Sequence, residues 1–313
     1  MLSSAVARHW GFGIISALLC SIAWRAVIPR LSSTAPPPIT LPIAAAWVYL
    51  SDNQNYTEIP SQWLQINFTV ADVLLVGPVG LQEDGTFGLY SSQQTGPLAN
   101  RFNWVIHQAR SMNPDIKIIA SQWWGSSPSI WGYDISALQN ETAIQKYAAS
   151  VATFIQAWSN VSGGIDGYDI DYESSNVQDY APALLTLVRQ GLDALGKAEG
   201  ARKFYLTVSP ANTGYLDETT QVVDFVNMQT YAGGSGITPQ TLVSLGFKSD
   251  QLLYGICPET NCGGQTIEQV EQQYTANNMA GIHVWRLNSG NLVDEGKTAA
   301  QVYEFLHPQK YFD

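Results

Sequence analysis

Asp166-Gly167-Tyr168-Asp169-Ile170-Asp171-Tyr172-Glu173 decides how this chain reads. Preceded by Gly163, Gly164 and Ile165, it has the pattern of a buried strand carrying carboxylates at alternate positions. Side chains on a strand alternate between its two faces, so Asp169, Asp171 and Glu173 project to one side. A packed interior does not tolerate three unpaired charges, so the row must be protonated, partnered or engaged in chemistry. Glu173 ends the row and emerges at the strand's carboxyl end, where barrel proteins carry their sites. Two plainer readings compete: a solvated acidic strand edge and a calcium-binding loop. The calcium pattern fails in detail, because no Gly stands at its sixth position and no Glu at its twelfth. Asp166 is off the parity of the row and reads as fixing the start of the strand.

The chain has 313 residues, of which 45% are hydrophobic and only 13% charged, a balance that specifies a buried globular core. A formal charge of −11 and a pI near 4.7 argue against nucleic acid or an anionic membrane surface as partner. A neutral polymer such as a polysaccharide is compatible with that balance. At the amino terminus, Arg8 and His9 precede an apolar run from Trp10 to Trp24, and Ser21-Ile22-Ala23 offers small residues near a cleavage point. The run falls short of the roughly 20 residues needed to span a bilayer. Residues 1–30 are therefore expected to be a signal peptide, with an uncleaved membrane anchor as the alternative because Arg25 and Arg30 follow closely. Loss of this segment would take the formal charge from −11 to −14. The expected product is secreted, or membrane-anchored with its folded domain outside the cell.

Asn55, Asn67, Asn140 and Asn160 each open an Asn-x-Ser/Thr sequon. Beyond Cys20, only Cys257 and Cys262 remain, and a local disulfide is the natural reading, with two free loop thiols as the alternative. Zinc would need two further ligands from only three His outside the targeting segment.

Residues 31–40, with Ser32-Ser33-Thr34-Ala35-Pro36-Pro37-Pro38, form a stiff polar linker ahead of the folded part, 41–313. Strand-like runs begin at Ile43, Val73, Ile116, Gly164, Phe204, Phe225, Leu252 and Ile282. Helix-like stretches fall at Phe102–Met112, Thr142–Trp158, Asp179–Leu195, Pro239–Leu245, Ile267–Met279 and Lys297–Leu306, while the first and fifth connections are less regular. Eight strands alternating with helices over about 270 residues predict an α/β fold, a single-domain (β/α)8 TIM barrel. A doubly wound open sheet competes, but no Gly-rich phosphate turn follows the first strand. Asp294 and Glu295 read as a surface at a helix start.

The octapeptide matches the pattern Asp-Gly-x-Asp-x-Asp-x-Glu of glycoside hydrolase family 18, the chitinase-like hydrolases, at all five fixed positions. It falls on the fourth strand, its usual place in that family. Leu206-Thr207-Val208-Ser209-Pro210-Ala211 is similar to the family's fifth strand, although its Pro comes one residue early. Val226-Asn227-Met228-Gln229-Thr230-Tyr231 resembles the sixth, which ends in an active-site Tyr, and Gly281-Ile282-His283-Val284-Trp285 the eighth, whose indole floors the cleaved sugar's subsite. Two departures concern the subclass. Ser121-Gln122-Trp123-Trp124-Gly125 replaces a Ser-x-Gly-Gly turn, and Ala232 follows Tyr231 where many chitinases have Asp or Asn. The Gln229-x-Tyr231 spacing is more like compact plant-type chitinases and endo-β-N-acetylglucosaminidases. The short seventh connection leaves no room for the α+β insertion of many processive chitinases, so a shallow, open groove is expected.

The resemblance implies retaining, substrate-assisted hydrolysis of bonds between N-acetylglucosamine units, an exception to the usual two-carboxylate scheme. Glu173 is assigned to protonate the glycosidic oxygen and then to deprotonate water. Asp171 would orient the acetamido group, Asp169 would share a proton or hydrogen bond with Asp171, and Tyr231 would hold the acetamido oxygen under the anomeric carbon. Trp285, Gln229, Tyr49, Trp123 and Trp124 are the candidates for substrate binding, and Trp131 could add a further stacking surface. The implied partner is an N-acetylglucosamine-containing polysaccharide or glycan, with no cofactor, no metal and no nucleic acid. Membrane contact is expected only through an uncleaved anchor, and the protein is expected to be a monomer. Chitin leads as substrate, the chitobiose core of N-glycans is the alternative, and a non-catalytic glycan lectin is a third reading.

Overall fold

The computed structural model describes residues 37–50, 58–89, 95–122, 137–138, 140–173, 180–231, 236–259, 262 and 265–311. Ala35–Asp313 forms one compact unit. The targeting segment, Asn55, and the tryptophans at 123, 124 and 131 lie outside the described residues.

The strands run β1 (Ile43–Tyr49), β2 (Val73–Leu81), β3 (Phe87–Gly88), β4 (Lys117–Gln122), β5 (Gly167–Tyr172), β6 (Tyr205–Pro210), β7 (Phe225–Met228), β8 (Leu252–Ile256) and β9 (Gly281–Val284). All but β3 pair in parallel in chain order, and β9 returns to β1 through Ile43 opposite Gly281, closing an eight-stranded barrel. The two-residue β3 is an antiparallel appendage on β2. Helices α1 (Thr95–Met112), α2 (Glu141–Ala157), α3 (Ala181–Ala198), α4 (Pro239–Ser244) and α5 (Ile267–Asn277) lie in crossovers between barrel strands, and α6 (Leu292–Leu306) follows β9. This is the (β/α)8 architecture expected from the strand count. Between β8 and β9 the described chain holds α5 and no added sheet.

The less regular connections also appear as anticipated. The link from β1 to β2 carries only 3₁₀ turns among its described residues, Ser61–Gln65 and Phe68–Val70. Arg101 of α1 pins that link: fully buried, it donates to the carbonyls of Leu50 at 2.7 Å and Glu58 at 3.0 Å. Its guanidinium also lies over the Trp63 ring at 5.2 Å.

Alternation sorts the barrel into two cores. Odd-numbered positions face inward along the barrel strands, as register shows: Trp47 opposes Leu75, Leu75 opposes Ile119, Ser121 opposes Asp169, and Asp169 opposes Thr207; beyond a register shift in β2 after Val76, Val79 and Leu81 turn to the outer core instead. The lower interior is apolar, with Ile43, Ala45, Val73, Leu75, Ile119 and Leu253 in one cluster. Even-numbered residues such as Val48, Leu74, Ile118, Tyr168, Leu206 and Val226 face the helices in a separate, larger core. Toward the carboxyl ends of the strands the interior turns polar, and that change in layer is where the acidic row emerges.

Asp166 fixes the start of β5 as expected. It is buried, accepts from the Ile118 amide at 2.8 Å, and pairs with Arg202 at 2.9 Å and with Arg110. The reading of Asp294 and Glu295 as surface holds for Asp294 alone. Glu295 is fully buried and accepts from the Ser289 amide at 3.0 Å, and burial pushes its carboxyl up to about 7. The first turn of α6 points this position back toward the barrel mouth, a consequence of helix phase that charge pattern alone does not reveal.

Candidate active site

Asp169, Asp171 and Glu173 share the inward parity of β5, at increasing height in the barrel. Asp169, fully buried, sits among hydroxyl and amide donors from three neighbouring strands. Thr207 donates to one carboxyl oxygen at 2.6 Å and Ser121 to the other at 2.7 Å. Ser209 reaches both oxygens at 3.1 Å, and Asn227 adds a bond at 3.2 Å. Burial raises its pKa to about 6, against the opposing pull of those four donors. No hydrogen bond joins it to Asp171, so the expected shared bond is replaced here by this ring of neutral donors.

Asp171 is buried one layer higher and accepts from the Gln229 side-chain amide at 2.8 Å. The same amide donates to the Ser209 carbonyl at 3.1 Å, so Gln229 orients this carboxyl from across the barrel. Burial, then the charges of Glu173 and Asp169, push Asp171 well above the usual carboxylate range. Glu173 follows the last strand residue and is exposed at the barrel's open end. Desolvation of its carboxyl raises its pKa, an effect the nearby Gln229 side chain partly offsets. With both groups raised and mutually influential, the pair retains a proton to higher pH than two isolated carboxyls would.

Tyr231 stands beyond β7 on the same inward parity. Its ring lies nearly parallel to Trp285, 24° between planes and 6.4 Å between centroids, and edge-on to His283 at 6.0 Å. Burial, then Asp171 and Glu173, raise its hydroxyl pKa well above the ordinary value, so it stays a protonated donor. Gly255 makes this packing possible: a Cβ there would come within 2.3 Å of the Met228 carbonyl, 2.7 Å of His283 Nε2 and 2.9 Å of the Tyr231 ring. His283 is buried, contacts the Met228 carbonyl through Nε2 at 2.9 Å, and is lowered to about 4 by burial. It is therefore a neutral wedge behind Tyr231 at ordinary pH.

Trp285 continues the wall, meeting buried Trp47 edge-on at 5.1 Å. Tyr49 ends β1 and is locked to the loop after β9, donating its amide to Asn288 Oδ1 at 2.9 Å and accepting from Asn288 Nδ2 at 2.8 Å. The structure thus brings Glu173, Asp171, Asp169, Gln229, Tyr231, Trp285 and Tyr49 to one end of the barrel. Cys257 and Cys262 are joined by a disulfide in the loop after β8, on the same end. Asn67, Asn140 and Asn160 are exposed, and the first two cap helical turns through their side-chain oxygens.

Sequence reasoning missed the donor ring on Asp169. Its signal was the inward parity of Ser121, Thr207, Ser209 and Asn227, four small polar side chains on three strands around the row. Glu259 and Arg286, paired at 2.7 Å near Trp285, carried no comparable pattern.

A parallel barrel with an acidic row at the carboxyl ends of its strands defines the class: a (β/α)8 barrel with its candidate site at that end. The sequence profile of glycosyl hydrolases family 18 matches residues 45–251, and the chain belongs to that family. Solved structures agree in fold. A fungal endo-β-N-acetylglucosaminidase of family 18 is 16% identical with a TM-score of 0.58, over 86% of this chain and 100% of that one. A family 18 chitinase mutant from Cycas revoluta in complex with (GlcNAc)4 is 12% identical with a TM-score of 0.62, over 83% and 99%. A human pseudo-chitinase with retained chitooligosaccharide binding is 11% identical with a TM-score of 0.59, over 86% and 99%.

Proposed function

We propose that this protein is a glycosidase that hydrolyses β-1,4 bonds between N-acetylglucosamine units by retaining, substrate-assisted catalysis. The observation that carries the reading is the intact row with opposed environments: Asp169 saturated by donors, Asp171 held by Gln229, and Glu173 at the open end with a raised pKa. In this mechanism protonated Glu173 gives its proton to the glycosidic oxygen as the acetamido oxygen attacks the anomeric carbon, forming a cyclic oxazolinium. Asp171 accepts the acetamido N–H and stabilises the positive charge. Tyr231 donates its hydroxyl to the acetamido oxygen and fixes the attack geometry. Water then opens the ring with Glu173 acting as base, retaining the anomeric configuration. Trp285 offers its face to the sugar's C–H groups.

Cleavage of the chitobiose core of N-glycans is the second reading. It is favoured by the Gln229-x-Tyr231 spacing and by the short link from β8 to β9, which suits an open groove that takes a branched glycan. A lectin is disfavoured because Glu173, Asp171 and Tyr231 are all present. We place the enzyme outside the cell, through cleavage or retention of the segment 1–30, with Asn67, Asn140 and Asn160 as exposed sequons.

Incubation with chitotetraose and, separately, with a high-mannose glycoprotein distinguishes these activities by mass spectrometry of both product sets. Chitobiose from the first is the expected outcome. Release of a glycan that leaves one N-acetylglucosamine on the protein would establish the second reading. Cleavage of neither, with oligosaccharide binding intact, would replace both by the lectin.

A further inference from the structure

Arg286 lies at the barrel mouth and takes no part in the mechanism. It follows Trp285 directly, yet its side chain is only 16% exposed. Its guanidinium carbon stands 5.2 Å from the Tyr49 ring centroid and 5.7 Å from that of Trp285. Nε donates to Glu259 Oε1 at 2.7 Å. Glu259 lies inside the loop that the Cys257–Cys262 disulfide closes, and its charge is felt at the Tyr231 hydroxyl. Tyr49 is itself clamped to the loop after β9 by its two bonds with Asn288.

Each contact has a physical consequence. A guanidinium is a rigid planar array of five N–H donors, and cation–π attraction to two rings holds it against the aromatic wall. The charge-assisted bond to Glu259 fixes its orientation there. The disulfide removes conformational freedom from the loop that carries Glu259, so the orientation is set before ligand arrives. The Arg–Glu pair is also neutral as a unit, which suits oxygen acceptors of an uncharged sugar better than an anionic one.

We infer that Arg286 is a specificity-determining, glycan-binding residue on the Trp285–Tyr49 wall, donating to hydroxyl or acetamide oxygens of a neutral saccharide, and that Glu259 within the Cys257–Cys262 loop is its positioning residue. The inference rests on the proposed glycan-hydrolase reading and extends it to a residue and a loop outside the acidic row.

A mutant cycle on chitotetraose hydrolysis, with calorimetric binding measured in a Glu173→Gln background, tests it. Losing a charge-assisted ligand bond should raise KM about tenfold in Arg286→Met, with kcat reduced less than threefold and a matching loss in Kd. Glu259→Gln should give a smaller rise in the same direction and add little in the Arg286→Met background. Cys257→Ser/Cys262→Ser should resemble Glu259→Gln and be non-additive with it. Unchanged KM and Kd in Arg286→Met would overturn the inference while leaving the hydrolase reading intact. So would Glu259→Gln effects that simply add to those of Arg286→Met. A parent protein that neither cleaves nor binds chitotetraose or a high-mannose glycan would overturn both.

Discussion

Glu173→Gln is expected to lower kcat on chitotetraose by about 1000-fold while leaving oligosaccharide binding within a fewfold of the parent. The amide keeps the size of the side chain but has no acidic proton for the leaving oxygen, and general acid–base catalysis of this kind is worth about 10²–10⁴. Binding survives because Trp285, Tyr231 and Tyr49 form the wall independently of the carboxyl. The pH profile should change with it. Glu173 must be protonated to act, and its raised pKa extends the protonated form to higher pH than an ordinary carboxyl allows. Parent activity should therefore fall on the alkaline side as pH rises through that pKa, and the residual activity of the variant should lack this limb. Single-turnover rates and calorimetric titration measure both parts. Undiminished turnover would remove Glu173 from the acid role.

Asp166→Ala is expected to destabilise the fold by about 3 kcal/mol or more, the range found when one partner of a buried ion pair is removed. Asp166 is the shared acceptor of Arg110 and Arg202, whose side chains are 6% and 10% exposed. Deleting the carboxyl leaves two guanidinium groups facing each other without their common counter-charge. Arg202 keeps Glu199 at 3.3 Å, but Arg110 is left with backbone carbonyls alone, and both carry a buried Nε with no partner. The Ile118 amide also loses its acceptor at the junction of β4 and β5. Asp166→Asn keeps the volume and one acceptor and should lie between the variant and the parent. Equilibrium urea unfolding gives the values, and a loss below about 1 kcal/mol in Asp166→Ala would contradict the structural role assigned here.

The two positions show why one octapeptide was so informative. Asp166 and Asp169 are three residues apart, hence on opposite faces, one serving the outer core and the other the barrel lumen. That division follows from strand alternation alone. The strands were legible for the same reason: the expected starts at Ile43, Val73, Phe225 and Leu252 are the observed ones, and those at Ile116, Phe204 and Ile282 differ by one residue. The start expected at Gly164 moves to Gly167 because Gly163 and Gly164 adopt φ of 88° and 77°, a left-handed turn that a strand cannot contain.

Helix beginnings were harder to read. Helix α6 starts at Leu292, ahead of the expected Lys297, because Asp294 and Glu295 belong to its first turn. Helix α1 starts at Thr95, before the apolar face that begins to repeat at Phe102. The paired functional groups were the least accessible. Gln229 holds Asp171, from 58 positions away, and Glu259 holds Arg286 across 27. Such partners meet only when the barrel closes, and no local periodicity marks them.

Rates on a chito-oligosaccharide and on the matching cello-oligosaccharide, which differ only in acetamido against hydroxyl at C2, test the central claim most directly. Substrate assistance requires the acetamido oxygen as nucleophile, so hydrolysis of the glucose chain should be slower by about 1000-fold or more at saturating concentrations. Equal rates on the two chains would contradict the mechanism and with it the roles given to Asp171 and Tyr231.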